Sequence, residues 1–242
     1  MPQTEALSTP WSQNDWTSSD DRVRGGSSYS KILPSPNKHT AKFEGNLDIT
    51  TLDGAGFASQ HITGDHTRWD LSAADGLELD LGISESDGKL YTLILKDEIL
   101  PARPDGRERS SLSWEADFRA SAGCKTTEQK NKKKVIIKWE GLRPTYRGKE
   151  VKGAHALDLK SVRRLSIMMR SFFGAQEGPF TLSIVSIATW LGDEESGKDG
   201  GVVIGTREKD TCVYEDNSLC DIITYYSTSP LFQQCQHSSS RQ

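Results

Sequence analysis

The chain has 242 residues, of which 34% are hydrophobic and 26% are charged, and its formal net charge is −4 at pH 7. This length fits one all-β domain, and the composition excludes a collagen-like, wholly disordered or disulfide-stapled chain. A net negative charge offers no overall attraction to nucleic acid, so we predict no nucleic-acid partner. The longest apolar-leaning run, Pro179–Leu191, is too short to cross a bilayer, so we expect no membrane span.

Cysteine spacing and the first residues both bear on the cellular compartment. Cys124, Cys212, Cys220 and Cys235 contain no C-x-x-C pair, which is typical of reduced thiols in a cytoplasmic compartment. No Lys or Arg precedes Arg22, whereas a mitochondrial presequence is rich in arginine and poor in acid. We therefore predict a cytoplasmic protein.

Composition also divides the chain into three parts. Residues 1–14 are predicted to be a flexible N-terminus, and residues 15–192 carry enough apolar side chains to bury the core of one domain. Residues 193–242 begin with a stretch rich in Gly and charge and continue with little pattern. We expect a linker and a poorly ordered tail there.

Short runs of β-branched and aromatic residues recur between turn pairs such as Asp53-Gly54 and Asp75-Gly76, a pattern typical of an antiparallel sandwich or barrel. About nine strands are predicted, at Ser30–Leu33, Ala41–Thr50, Gly56–Ile62, Gly76–Leu81, Lys89–Lys96, Ser110–Phe118, Lys133–Trp139, Arg164–Met169 and Phe180–Trp190.

Alternation within these runs predicts which faces are buried. Leu77, Leu79 and Leu81 share one face of their strand, and carboxylates occupy the other face. In the last predicted strand the alternation slips by one residue at Ile184-Val185. This slip predicts a β-bulge.

Most motifs in the chain favour ordinary structural roles. His61, Asp65 and His66 lie close in sequence but fit no zinc spacing, so we predict no metal site. Gly54–Ser59 lacks the third glycine and the following helix of a dinucleotide fingerprint, so we predict no cofactor. No Gly-x-Ser-x-Gly elbow is present, and the Lys130–Lys134 run is interpreted as a solvated entry to a strand.

The segment Asp20–Ser28 is more specific, because it combines two acids, two arginines and a glycine pair. Gly25 and Gly26 permit positive φ and close approach, and Arg22 and Arg24 supply planar donors suited to carboxylate or phosphate. A second interpretation is a structural turn in which these arginines pair with Asp20 and Asp21. The sequence leaves both interpretations open.

Six segments taken together resemble the complex I intermediate-associated protein family, whose members are assembly factors of NADH:ubiquinone oxidoreductase or their relatives. They occur in the family's order at Asp20–Ser28, Ala41–Leu47, Gly54–Ser59, Asp75–Leu77, Pro144–Gly148 and Gly178–Ile184. The resemblance covers about residues 15–192. It implies an all-β fold, a galactose-binding-like jelly-roll β-sandwich, and makes the mitochondrion the alternative location.

Two further segments, Lys96–Glu98 and Pro101–Glu108, look similar to a shorter, fungal-type subgroup of that family. The role of this subgroup need not involve complex I, and a shared fold does not fix a function.

Two functions are therefore predicted. The first is a non-catalytic binding module, an assembly factor or chaperone that grips a protein partner or small-molecule ligand with loops at one end of the sandwich. Its predicted binding residues, expected to share one surface, are Arg22, Arg24, Gly25, Gly26, Tyr146 and Arg147. The alternative is a cofactor-independent enzyme, a cyclase or isomerase, with an acid/base pair in a concave face. Its candidate catalytic residues are Asp21, Lys96, Asp97, Glu115, Tyr146 and Arg147.

Overall fold

A computed structural model describes residues 6–63, 68–104, 106–120 and 132–192, together with the backbone of residues 202–204. These residues form strands joined by short 3-10 turns. The strands are β1 (Trp16–Ser18), β2 (Tyr29–Pro34), β3 (Ala41–Leu47), β4 (Phe57–Ile62), β5 (Gly76–Gly82), β6 (Leu90–Lys96), β7 (Ser113–Arg119), β8 (Lys132–Lys138), β9 (Arg143–Tyr146), β10 (Lys149–Glu150), β11 (Arg164–Arg170), β12 (Gly178–Trp190) and β13 (Val202–Ile204).

The strands make two sheets. One sheet has seven strands in the order β1-β4-β11-β6-β7-β9-β10, and the other has six in the order β13-β8-β5-β12-β3-β2. All pairings within them are antiparallel except that of β13 with β8. The predicted all-β jelly-roll sandwich is thereby confirmed. None of the helices among these residues has the length and apolar character needed to span a membrane.

The core lies between the inner faces of the two sheets, where strand alternation places the apolar side chains. Leu77, Leu79 and Leu81 are fully buried, as their period of two predicts. Aromatic rings connect the layers, because Phe43 of the six-stranded sheet lies 6.1 Å from Tyr91 of the seven-stranded sheet, measured between ring centroids. Edge-on contact of this kind adds to the stabilisation from burial alone.

All nine predicted strands are present, with shifted ends. β3 ends at Leu47 rather than Thr50, because the Asp48 carboxylate accepts the Thr51 backbone N–H and closes a turn. Four short strands were not predicted, namely β1, β9, β10 and β13.

The predicted bulge is also present, since the pairing of β12 with β5 changes register between Ile184 and Ser186. The bulged residue, Val185, offers its carbonyl oxygen to the indole N–H of Trp11 at 2.9 Å. A bulge leaves one residue out of the ladder, and here that residue anchors the N-terminal segment.

The N-terminal segment packs against the sandwich from Ala6 onward, within the stretch 1–14 for which flexibility was predicted. Ala6 forms a bridge to Ala188, and the Leu7 backbone N–H donates to Ile187 O at 2.9 Å. Trp11 is fully buried and stacks on Trp16. The linker and tail predicted for residues 193–242 lie outside the described residues, apart from β13.

Candidate functional site

Strand direction sorts the predicted site residues into two opposite ends of the seven-stranded sheet. β11 runs antiparallel to both of its neighbours, with Arg170 opposite Phe57 of β4 and Arg164 opposite Lys96 of β6. Phe57 and Arg170 therefore lie at one end of the sheet, and Lys96 and Arg164 lie at the other.

The Asp20–Ser28 segment lies at the first end, where its two acids are structural. Asp20 is buried and accepts the Ser59 backbone N–H at 2.9 Å and the Ser30 hydroxyl at 2.7 Å. Asp21 is fully buried and accepts the backbone N–H groups of Ser28 at 3.0 Å and Phe57 at 3.1 Å. These carboxylates hold the segment against β2 and β4, so Asp21 offers no open acid or base.

The glycine pair permits this arrangement in two ways. Gly25 adopts φ +85° at the end of the 3-10 turn Asp21–Arg24, a conformation that L side chains rarely adopt. Gly26 leaves room for the buried carboxylate, because a Cβ there would lie 2.3 Å from Asp21 Oδ1. Both glycines shape the turn and contribute no functional group.

The two arginines of this segment differ. Arg22 pairs with Asp20 at 3.2 Å, as the structural interpretation predicted. Arg24 is exposed, with its guanidinium 5.3 Å from the centroid of the Phe57 ring. The part of the chain that the structure describes supplies no carboxylate partner for Arg24.

Arg24 begins a run of alternating arginine and aromatic side chains, namely Arg24, Phe57, Arg170 and Phe172. We call these four residues, together with the exposed Val23 and Phe173, the aromatic end. Phe57, which Arg24 covers, is the cross-strand partner of Arg170. The Arg170 guanidinium in turn lies 4.6 Å from the centroid of the Phe172 ring. The next side chain, Phe173, is 99% exposed.

The turn that carries Phe173 is anchored on both sides. Ser171 donates its backbone N–H to Gly56 O at 2.9 Å, and the Gln176 side chain donates to Leu90 O at 2.8 Å and Arg170 O at 2.7 Å. Phe172 and Phe173 both have positive φ, 46° and 60°, which is unusual for aromatic residues. The anchored turn thus holds an aromatic ring in water.

Arg170 also joins the aromatic end to an ion-pair network on the outer face of the seven-stranded sheet. Its guanidinium donates to Glu115 Oε2 at 2.7 Å and to Asp117 Oδ1 at 2.8 Å. Glu115 also accepts the Thr145 hydroxyl at 2.7 Å, and Asp117 also accepts from Arg143. Burial alone would raise the pKa of Asp117, but its bond from Thr92 and its two arginine partners outweigh burial and lower it. Of this network, only Glu115 was among the predicted site residues.

The predicted acid/base residues do not gather at one site. Lys96 and Glu115 share the outer face, and burial lowers the pKa of Lys96, with the nearby Arg164 adding to the effect. The Lys96 ammonium donates to the Ser111 hydroxyl at 3.1 Å. Asp97 accepts the Asp158 backbone N–H at 3.0 Å, which fixes the 155–158 segment. Asp21 lies at the other end of the sheet.

Tyr146 and Arg147 lie in the β9–β10 hairpin, near the end that carries Lys96. β9 is separated from β4 by β11, β6 and β7, so the predicted single surface that combines Arg22, Arg24 and Arg147 does not form. The hairpin instead faces the segment between β6 and β7 across a cleft of about 630 Å³. We call it the arginine cleft, and its lining residues are Leu100, Arg103, Pro104, Arg109, Ser110, Tyr146 and Arg147.

Within the described ranges, no group of three or more His, Cys, Asp and Glu side chains is arranged to hold a metal ion. Asp65 and His66 lie outside those ranges. His61 is buried on β4, where it pairs with Thr17 of β1 and Ser166 of β11 across the sheet.

Residues 6–184 match the family described as Complex I intermediate-associated protein 30 (CIA30), which covers both the aromatic end and the arginine cleft. The chain belongs to the CIA30 family. Membership suggests a role related to complex I assembly. The resemblance inferred from the six sequence segments is thus confirmed.

One relative in the CIA30 family comes from fission yeast, Schizosaccharomyces pombe, and carries the name Uncharacterized protein C9E9.15. It is 42% identical over 183 residues, which cover 73% of this chain and 78% of the relative.

Solved structures similar to this CIA30 chain include the Family 11 Carbohydrate-Binding Module of the cellulosomal cellulase Lic26A-Cel5E of Clostridium thermocellum. It has 12% sequence identity and a TM-score of 0.49 over 80% of this chain and 98% of the module. An agarase, AgWH50C, has 10% identity and a TM-score of 0.43 over 80% of this chain and 25% of the agarase.

Proposed function

We propose that this protein is a non-catalytic binding module that acts as an assembly factor or chaperone, and that it holds a protein partner through the aromatic end of the sandwich. Family membership supports the assembly-related part of this proposal. The observation that carries the binding part is Phe173, a large apolar side chain left 99% exposed on an anchored turn.

Little conformational entropy is lost when a partner binds an exposed phenylalanine whose backbone is already fixed. The Ser171 and Gln176 hydrogen bonds hold the turn at both sides, so a partner would not have to order it on binding. Preorganisation of this kind increases affinity by reducing the entropy lost in the complex. Full burial of such a side chain contributes about 1.5–3 kcal/mol.

The other residues of the aromatic end also have the composition of a protein interface. Val23 is exposed, and Arg24 presents its guanidinium beside Phe57. Aromatic residues and arginine are enriched among the side chains that dominate binding energy at protein interfaces. A partner with an apolar pocket bordered by a carboxylate would complement Phe173 and Arg24 together.

The enzyme alternative has one observation in its favour, the lowered pKa of Lys96. A lysine with a depressed pKa is a candidate general base. Glu115, the candidate acid on the same face of the sheet, is only 5% exposed and is already bonded to Arg170 and Thr145. The binding module therefore agrees better with the geometry, and the enzyme is the second candidate.

A photo-crosslinking experiment tests the binding proposal. A benzoylphenylalanine in place of Phe173 keeps an aromatic ring at the tip, and we expect it to crosslink to one protein partner in cells that contain complex I. The same crosslinker in place of the exposed Lys160, which lies at the other end of the sheet, is the matched control.

Two outcomes are informative about the aromatic end. Crosslinking from position 173 that disappears with Arg24→Gln supports a partner recognised by both groups. Equal crosslinking from positions 173 and 160, or crosslinking only to lipid or to a second copy of this chain, refutes the proposal.

A native-gel experiment tests the assembly role separately. A strain whose chromosomal gene carries Phe173→Ser is expected to accumulate partly assembled complex I. A strain that carries Phe173→Tyr, which keeps the ring, is expected to contain complex I near its normal amount. A normal amount of complex I in both strains would refute the assembly role. The crosslinking experiment would then still test partner binding at the aromatic end.

A further inference from the structure

Three arginines line the arginine cleft, and the guanidinium of one of them, Arg147, lies 5.4 Å from the centroid of the Tyr146 ring. Arg103 and Arg109 come from the segment between β6 and β7, and Arg147 comes from the β9–β10 hairpin. Among the residues that the structure describes, which do not include residue 105, none of the three has a carboxylate partner. Such a cluster repels itself unless an anion joins it.

The wall that carries Arg103 and Arg109 is fixed to the sheet. Arg103 donates its backbone N–H to Arg107 O at 2.8 Å and closes a turn, and Glu108 pairs with Arg164 of β11 at 2.8 Å. Ser111, where the segment rejoins β7, donates to Glu98 O at 2.8 Å. The cleft is therefore held open by the fold before any ligand arrives.

Arg147 occupies a backbone conformation that arginine rarely adopts. It has φ +52° and is followed by Gly148 with φ +75°, which is the pattern of a two-residue hairpin turn with both central residues left-handed. Asn or Gly is favoured at the first of these positions, and a left-handed conformation has an energetic cost for an ordinary residue. The guanidinium that this arginine adds to the cleft offers a reason for the cost.

Apart from Ser110, the remaining lining is apolar and open to solvent. Leu100, Pro104 and the ring of Tyr146 form the walls, and Tyr146 is 43% exposed. An open cleft cannot enclose a small molecule on most sides, as small-molecule sites usually do. An extended chain needs no enclosure, because its side chains alternate between the two sides of the backbone.

We propose that the arginine cleft binds an acidic, extended polypeptide segment whose carboxylates pair with Arg103, Arg109 and Arg147 and whose apolar side chains contact Leu100, Pro104 and Tyr146. Arginine suits this ligand because its planar fork binds a carboxylate through two parallel hydrogen bonds. The site lies at the opposite end of the sheet from the aromatic end, so it stands independently of the proposed function.

Fluorescence anisotropy with a short fluorescein-labelled peptide of alternating glutamate and leucine tests the proposal. We expect saturable binding that weakens with added salt, because the contacts are ionic and exposed. The same peptide with glutamine in place of glutamate is expected not to bind. Pyrophosphate is the competitor that separates carboxylate recognition from a general anion site, and it is expected to displace the peptide only at a large excess.

Substitutions locate the binding on the protein. Arg147→Asn removes a guanidinium and places a favoured residue in the turn, so it is expected to keep the fold and to weaken peptide binding by at least about fivefold. Arg109→Gln is expected to have a similar effect. Arg119→Gln, which removes the same charge from the far end of β7, is the matched control and should leave the affinity unchanged.

Three results would overturn the proposal. Equal loss of affinity with Arg119→Gln would show attraction to net charge alone. Equal binding of the glutamine peptide would remove the role of the carboxylates. Displacement of the peptide by pyrophosphate at equal concentration would assign the cleft to phosphate-bearing ligands instead of an acidic polypeptide.

Discussion

Replacing the adjacent glycines Gly25 and Gly26 by alanine is expected to lower the free energy of unfolding by different amounts and for different reasons. A Cβ at Gly26 would lie 2.3 to 2.9 Å from three atoms of the Asp21 carboxylate, closer than real Cβ atoms approach any neighbour. A Cβ at Gly25 would meet nothing within 4 Å, but its φ is +85°. Gly26→Ala is thus a steric test, and Gly25→Ala is a conformational one.

The magnitude for Gly26→Ala follows from what Asp21 would have to give up. The carboxylate is fully buried and accepts the backbone N–H groups of Ser28 and Phe57, so it cannot move away without weakening both bonds. Hydrogen bonds to a charged group contribute about 1.5–3 kcal/mol each. We expect Gly26→Ala to lower the free energy of unfolding by about 3–5 kcal/mol, whereas Gly25→Ala should cost about 1–2 kcal/mol.

Urea denaturation followed by tryptophan fluorescence measures both costs on purified protein. Gly25→Asn, which tolerates the left-handed conformation, is expected to recover part of the loss at that position. If Gly26→Ala changes the unfolding free energy by less than about 0.5 kcal/mol, the range of ordinary surface substitutions, then Asp21 does not hold the segment as argued.

Three further predictions use other parts of the chain. Burial raises the pKa of Asp80, and its buried Oδ1 has no hydrogen-bond partner among the described residues, so its charge costs stability above the unfolded pKa of about 3.9. Asp80→Asn is therefore expected to stabilise by about 1 kcal/mol at pH 7, and urea melts should show this gain disappear once the pH falls below that value. Trp11→Ala removes a fully buried ring and its bond to Val185, so it should cost about 3–5 kcal/mol in the same assay, and a near-zero cost would show that the N-terminal segment does not pack. For the compartment, imaging of a C-terminally tagged chain tests the family-based alternative: mitochondrial accumulation would agree with the proposed assembly role, and a cytoplasmic signal alone would argue against it.

Local patterns in the sequence predicted the strands because apolar and polar side chains alternate between consecutive residues of a half-buried strand. Leu77, Leu79 and Leu81 are buried as a period of two requires, and the slip at Ile184-Val185 is the bulge. The short strands β1 and β9 escaped prediction, because too few residues alternate in them to form a pattern.

The candidate sites were predicted only in part, because they depend on which strands become neighbours. Alternation in Arg164–Arg170 places Arg170 on the outer face, but nothing local shows that it lies opposite Phe57 of β4 or within reach of Asp117, which is two strands away on β7. The same holds for the arginine cleft, where Arg147 meets Arg103 and Arg109 from a distant segment. Both sites depend on the order of the strands within the sheet, and the residue pattern within each strand does not reveal that order.

The Asp20–Ser28 segment shows why its two interpretations could not be separated from sequence. Asp21 holds the Phe57 backbone N–H, while Arg24 covers the Phe57 ring three residues further along the segment. The acids and glycines are therefore structural, and Arg24 is the exposed arginine of this segment that the proposed interface uses. The position of Arg24 over Phe57 depends on the bond between Asp21 and β4. Asp21→Asn, which cannot accept both backbone N–H groups, should consequently weaken crosslinking from position 173 in the protein that still folds.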